Sequence, residues 1–421
     1  MSDFSQYLIP RGFKFAAAKA GVKASGRPDF AVIVADAAAS AAAEFTANRV
    51  QAAPLIVDKE HLSATGGRVR VVAVNAGNAN CAAGEAGLIA AQVTCAAAAK
   101  VFGCSEQEVF PSSTGIIGVP LPAEKLIAAM PEMAATLSAS ATSFDAAAQA
   151  ILTTDTVKKS AFARLEVTDG AAGGAIGTVR EVRIAAFGKG AGMIHPQLVP
   201  HAALHAANHA TMLIYIMTDA AIEAAALQAY LRNAVEVSFN RISVDGDTST
   251  NDTVLLLASG ASGVRIGAGD AAFAEALTEV CTSMARQVVG DGEGLAHVVE
   301  LRIEGAASDA EALRVAKAIA HSPLVKTAWA GCDPNWGRLM AAIGYSGAQI
   351  DPGRIDIRFG DLEICRDGGR APKFDEAAAH AYISRREFSI AIDLHQGTGK
   401  CVFWTTDLTV EYVHINADYS T

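Results

Sequence analysis

The sequence lacks several features that would assign it to common classes. Its seven cysteines (Cys81, Cys95, Cys104, Cys281, Cys332, Cys365 and Cys401) include no CxxC pair. They are odd in number and scattered, so neither a disulfide framework nor a zinc site follows, and they read as reduced thiols of a cytosolic protein. Long runs of Lys or Arg are missing and the formal net charge is −10. That argues against nucleic acid, whose affinity comes largely from cations on phosphate. No run of roughly 18 strongly apolar residues is evident, which argues against a membrane span. The amino terminus, MSDFSQYLIPRGFKF, has no apolar stretch ahead of a cleavage site, so no signal peptide is expected. Neither GxGxxG, GxxxxGK[ST] nor HExxH occurs in a usable context, which leaves no dinucleotide fold, P-loop or zincin.

What is present is a chain of 421 residues, 51% hydrophobic and rich in Ala and Gly. That is enough for one large or two to three smaller packed units. Short apolar runs at Phe30–Val34, Val69–Val74, Gly177–Ala186, Met212–Met217, Thr253–Leu257, Ile355–Phe359 and Phe388–Leu394 predict strands. Alanine-rich stretches at Glu85–Val101, Pro122–Met130, Ala221–Val237, Asp270–Val289, Asp309–Ala320 and Phe374–Tyr382 predict helices, with Asp309 as an N-cap and Gly290 as a stop. The class is α/β. No Pro/Ser-rich linker divides the chain.

Several stretches carry candidate chemistry. His201, His205 and His209 fall at i, i+4 and i+8, with His195 upstream. This is a metal-ligand spacing on a helix, but no carboxylate is interleaved, and a solvated helix face is the better reading. DGDTSTND (Asp245–Asp252) resembles the start of a calcium loop but lacks its later glycine and glutamate. It reads as a polar turn entering a strand, close to a site. PSSTGIIG (Pro111–Gly118) is either an ordinary turn or a pair of donors, backbone N–H and neighbouring hydroxyl, able to hold an oxyanion. In KGAGMI (Lys189–Ile194), Lys189 is either a surface-loop lysine or a partner for a carboxylate or phosphate. DPNWGR (Asp333–Arg338) and DGEG (Asp291–Gly294) are each, taken alone, turns.

Together these segments resemble the ornithine acetyltransferase family. The resemblance rests on KGAGMI, ATML (Ala210–Leu213) running to TDA (Thr218–Ala220), SFNRISVDGDTSTNDT (Ser238–Thr253), DGEG, SPLVKTA (Ser322–Ala328), DPNWGR and INADYST (Ile415–Thr421). Upstream, PRGFKFAAAKAGVKASGR, FTANRVQAAP, NAGNANCAAG, SSTGIIG and TTDT (Thr153–Thr156) also match, in collinear order over nearly the whole chain. The resemblance implies a layered αββα-like sandwich made as one chain and self-cleaved at Ala210–Thr211. The products would be a first chain, 1–210, and a second, 211–421, assembled as an α2β2 heterotetramer. It implies glutamate N-acetyltransferase activity in arginine biosynthesis, with N2-acetyl-L-ornithine and L-glutamate as substrates. Thr211 would be the nucleophile and Thr114 and Gly115 the oxyanion hole. Thr154, Lys189, Glu293, Asn416 and Thr421 would be the substrate contacts. No metal or cofactor is implied, with acetyl-CoA open as a second donor, and the expected location is the cytoplasm.

The N-terminal amine freed by cleavage titrates at roughly 7.7–8.0, so it can serve as base for its own hydroxyl. One segment departs from the family pattern. HPQLVPHAALHAANH (His195–His209) is longer than the few residues that usually join KGxGMI to ATML, and its histidines read as bystanders. Two other functions compete: a related self-cleaving amidase or aminopeptidase with water as acceptor, and a non-cleaving binding protein.

Overall fold

The computed structural model describes residues 7–168, 179–200 and 212–418. His201, His205, His209, Ala210, Thr211 and Thr421 lie outside the described residues, as does the start of the Gly177–Ala186 segment. The first half contains β1 (Phe13–Ala18), β2 (Phe30–Thr46), α1 (Ala53–Thr65), β3 (Arg68–Asn78), α2 (Gly84–Phe102) and β4 (Val109–Ile116). It continues through α3 (Ala123–Ala135), α4 (Ala141–Ala150), β5 (Lys159–Thr168), β6 (Val179–Lys189) and β7 (Leu198–Pro200). The second half opens with β8 (Leu213–Thr218), α5 (Ala224–Val237), β9 (Ile242–Ser243), β10 (Thr253–Ala258) and α6 (Ala271–Gly290). There follow β11 (Val298–Ala306), α7 (Asp309–Ala320), α8 (Pro323–Ala330), α9 (Trp336–Gly344), β12 (Asp356–Phe359), β13 (Leu362–Arg366) and β14 (Gly369–Arg370). The last elements are α10 (Glu376–Ile383), β15 (Glu387–Asp393), β16 (Gly399–Thr406) and α11 (Val410–Asp418). This is the expected mixed α/β class, built on two sheets.

One sheet runs β4-β3-β2-β10-β8-β6-β5, with β1 and β7 also on β2; the other runs β14-β13-β12-β15-β11-β16-β9. The first sheet interleaves the halves of the chain. β10 and β8 come from beyond residue 211, yet they sit between β2 and β6, which come from before it. β8 is buried at every position. Its side chains alternate between two cores, as a strand's must. Ile214 and Ile216 join α5 and α6, while Leu213, Tyr215 and Met217 join the cluster of Phe15, Phe144 and Phe187. Full burial of such a side chain contributes roughly 1.5–3 kcal/mol, so the start of this strand is rigidly placed.

Three local expectations need correction. The N-cap of α7 is Ser308, whose hydroxyl accepts the Glu311 N–H at 3.3 Å, and Asp309 is the first helical residue. α6 runs through Gly290 and is capped at Asp291. α2 is long and apolar enough, by length and composition, to cross a membrane. Its apolar face packs against α1, α3, β3 and β4. All seven cysteines are free.

The alanine-rich part of β2 is the largest departure from local propensity. Alanine is the best helix former, yet DAAASAAAEFT is strand. The α5 helix lies across this strand, and Gln228 ties the two together by accepting the Ala43 N–H (3.2 Å) and donating to Glu44 (2.7 Å). Small side chains buried under a helix permit that close approach, and the tertiary fit overrides the propensity.

Candidate active site

Local geometry converges on the amino end of β8. The Met212 N–H, one residue after Thr211, donates to Asp252 Oδ1 at 2.5 Å, and the Thr253 N–H donates to Met212 O at 3.0 Å. The neighbouring Asn251 donates through Nδ2 to Ala79 O (2.7 Å) and Ser113 O (2.8 Å). The dipeptide Asn251-Asp252 therefore clamps the start of β8 to the strand that carries Thr114 and Gly115. The segment Ser249–Thr253 is buried. It is a polar structural core rather than a surface turn, which the expectation of a polar turn near a site only partly captured.

Pro111–Thr114 are buried β4 residues, so the ordinary-turn alternative for PSSTGIIG fails. In the ladder, Thr114 stands opposite Ala76 and Gly115 opposite Gly77. Gly115 has φ +135°, and a Cβ there would collide with the Gly77 carbonyl carbon and the Asn78 nitrogen. Only glycine fits that approach and that conformation. Behind Gly77 lies Lys23, donating to Ala150 O at 2.8 Å. Burial lowers this amine to about 8 against the pull of Asp29. Sequence reasoning quoted the Lys23 segment but did not single the residue out.

Lys189 ends β6 and pairs across the ladder with Leu213, which places it beside the same strand start. It is only 4% exposed, so it is not a surface-loop lysine. Burial lowers its amine, opposed by Asp155. The Lys189 Nζ stands 3.8 Å from Asp155 Oδ2, and Lys159 Nζ bridges Asp155 (2.7 Å) and Asp291 (2.6 Å). Burial alone would raise Asp155, but Lys189, Lys159 and the Gly190 N–H prevail and hold it at about 2. Two buried cations thus match two buried carboxylates, the condition for keeping charges out of water. Thr154 immediately precedes Asp155 in the chain. The Thr156 N–H and hydroxyl both donate to Asp291, joining TTDT to DGEG.

Glu293 closes the opposite side. Its N–H donates to Ala191 O at 3.0 Å, and Asn416 Nδ2 of α11 donates to Glu293 Oε2 at 3.1 Å. A Cβ on Gly192 would overlap the Glu293 carboxylate, so KGAGMI and DGEG are fitted to each other. Asp245 accepts the N–H groups of Met193, which has φ +54°, and Ile194, and takes the Tyr412 hydroxyl at 3.3 Å. Burial raises Asp245 to about 6.

Thr114, Gly115, Lys189, Glu293 and Asn416 are thus linked around the start of β8 by chains of contacts, and Thr154 adjoins Asp155 of that network. Thr211 precedes Met212 in the chain and lies outside the described residues. DPNWGR has a structural role here: Asn335 caps α9 by accepting the Arg338 N–H at 3.2 Å. His195 is no bystander on a solvated helix. It is 4% exposed, leads into β7 and packs edge-on against His321 at 4.4 Å. Burial pushes its imidazole down to about 3. Asp155, Lys159, Asn251 and Asp252 were missed as site residues. Their signal was an unusual density of polar residues flanking apolar strands, which marks a buried polar network only once the strands are paired.

Comparison with known proteins supplies the frame for this geometry. A family model, that of the ArgJ family, matches residues 14–421. The arginine biosynthesis bifunctional protein ArgJ of Geobacter sulfurreducens is 44% identical over 415 residues, covering 98% of this chain and 99% of that one. The protein of the same name from Rhizobium meliloti is 43% identical over 427 residues, covering 99% and 97%. A crystal structure of arginine biosynthesis bifunctional protein ArgJ from Bacillus halodurans aligns with 40% identity over 50% of this chain and 99% of that chain, at TM-score 0.47. Matched from residue 14 to its last residue and along nearly the full length of such relatives, the chain belongs to the ArgJ family.

Proposed function

We propose that this protein, an acyltransferase of arginine biosynthesis, moves the acetyl group of N2-acetyl-L-ornithine to L-glutamate in a ping-pong reaction through acetyl-Thr211. The observation that carries the site assignment is the clamp of Asn251 and Asp252, which joins the residue after Thr211 to the strand of Thr114 and Gly115. Self-cleavage at Ala210–Thr211 comes first. The Thr211 hydroxyl attacks the Ala210 carbonyl, the acyl group shifts from nitrogen to oxygen, and water hydrolyses the ester. The freed amine then takes the Thr211 hydroxyl proton as Oγ attacks the acetyl carbonyl. The Thr114 hydroxyl and Gly115 N–H receive the oxyanion. The C–N bond breaks, ornithine nitrogen takes the proton, and ornithine leaves. Glutamate enters, and its amine reverses the sequence.

In this reading Lys189 receives a substrate carboxylate, Glu293 the ornithine side-chain cation, and Thr154, Asn416 and Thr421 complete the contacts. Acetyl-CoA as a second donor would form the same ester with release of the thiol. A cytoplasmic α2β2 assembly of the two cleavage products belongs to the same proposal. A hydrolytic amidase or aminopeptidase is not favoured, because the near-full-length relatives are named for arginine biosynthesis. The deciding assay supplies N-acetylornithine with and without glutamate. Acetylglutamate should form with glutamate present, and acetate should be released far more slowly without it. Equal rates of acetate release in both would defeat the transferase reading.

The fit of Gly192 to Glu293 gives a narrower test. Gly192→Ala should displace the Glu293 carboxylate and raise KM for N-acetylornithine about tenfold, the worth of one charge-assisted hydrogen bond of ~1.5 kcal/mol. Self-cleavage should be unaffected. An unchanged KM would remove Glu293 from the ornithine contacts.

A further inference from the structure

Asp252 has a carboxyl group only half used. It is 1% exposed, and while Oδ1 accepts the Met212 N–H, Oδ2 has no hydrogen-bond partner among the described residues. A buried acceptor without a donor is costly. The Met212 nitrogen is bonded to the carbonyl carbon of Thr211, so the α-nitrogen of Thr211 lies three covalent bonds from the atom that Asp252 already holds. We propose that Asp252 Oδ2 accepts a hydrogen bond from the α-amine of Thr211, aiming its lone pair at the Thr211 hydroxyl and stabilising the ammonium formed during attack. The inference rests on Thr211 being the nucleophile, and makes Asp252 a positioning residue for it.

The surroundings fit this role. The cation acting on Asp252 is Lys189 from β6, and Ser249, in the loop before β10, also draws its carboxyl down. Lys189 is itself drawn to Asp155. Burial, the largest influence on Asp252, pushes its carboxyl up to about 7 against the Met212 N–H, Ser249 and Lys189. An adjacent ammonium would restore the carboxylate. The proton balance is closed. The hydroxyl proton of Thr211 passes to its α-amine as the Oγ–C bond forms. It then passes to the departing nitrogen as the C–N bond breaks, and Asp252 keeps its charge throughout.

Asp252→Asn is the test, because it keeps an oxygen for the Met212 N–H and removes the charge. The variant should still appear as two chains. A carboxylate beside an amine raises the amine's pKa, so its loss should move the acid limb of kcat/KM to lower pH by about one to three units. The high-pH plateau should fall about 10²-fold, since the proton acceptor is then weaker and worse aimed. A purely structural defect would lower the rate at every pH and leave the limb in place, and that result would overturn the inference. Should Asp252→Asn stay uncut, Asp252→Glu decides. With charge kept and geometry displaced, its plateau should fall while its acid limb stays with the wild type, and a displaced limb would overturn the inference. Intact mass of the second chain, taken with N-acetylornithine and no glutamate, separates the two claims. A wild-type chain that gains no acetyl group defeats the nucleophile assignment itself. An acetylated wild-type chain combined with an unmoved limb in Asp252→Asn defeats only the role of Asp252.

Discussion

Thr211→Ala is expected to run on a denaturing gel as one chain of 421 residues, where the wild type runs as two pieces of 210 and 211. Acetyl transfer should fall to background in the variant. The effect is all-or-none because one hydroxyl serves both steps, cutting the chain and carrying the acetyl group. Removing it also removes the free amine, which exists only after cleavage. Amino-terminal sequencing of the wild-type second chain should begin Thr-Met-Leu. A wild-type protein that remains uncut would sink the proposal, as would a different first residue. The fold should be indifferent to the substitution, since the strand that follows is held by its own buried side chains and by Asp252.

Gly115→Ala carries the second-largest expected effect, a loss of about 10²–10³ in turnover, the usual worth of one oxyanion donor. Two independent features act against the added methyl. The φ of +135° is unfavourable to any side chain, and the Cβ would strike the backbone of Gly77 and Asn78. The strand must shift there, and the Gly115 N–H shifts with it. Thr114→Val is the companion variant. It removes the second proposed donor at nearly constant shape, and a loss of similar size is expected without backbone strain. Turnover is to be measured per cleaved molecule, so that slower self-cleavage is not mistaken for slower transfer. If both folded variants turn over normally, the oxyanion assignment fails.

The elements that were legible in the sequence share one property: local pattern and tertiary role agree in them. Phe30–Val34 and Met212–Met217 read as strands because β-branched and aromatic residues cluster there, and Asp270–Val289 reads as a helix because its apolar period persists for many turns. Where the two disagree, the sequence misleads. Residues 36–43 look helical by composition, yet they continue β2: Ala39 and Ser40 pair with β3, residues 40–43 pair with β10, and α5 packs on the strand. The alternating strands β5 and β11 and the short helices α8 and α9 were not expected; β11 is held between β15 and β16, far along the chain, and β5 packs on α6.

The site divides in the same way. Thr114, Lys189 and Glu293 came from resemblance to a family, and spacing alone did not distinguish them from turns and surface loops. The structure adds the burial of Thr114 and Lys189 and the linkage of Lys189 and Glu293 to their neighbours. Asp252 was quoted within a motif and left without a role, because its meaning depends on which backbone N–H it meets. His195 was set aside as part of an unusual insertion, and its packing against His321 was invisible until residues 126 positions apart came together.

The order of strands in the first sheet has a consequence for how the protein matures. β8 and β10, made late, must slide between β2 and β6, made early, before the clamp on Met212 can exist. Under the proposed chemistry, the bond before Thr211 is cut only in molecules whose central strands have already docked. Cleavage is then a proofreading step in biogenesis. An uncut chain marks a molecule that stalled during assembly, and a cut one certifies that the middle of the sheet was filled. The two products share a single sheet, so the cut alone does not separate them.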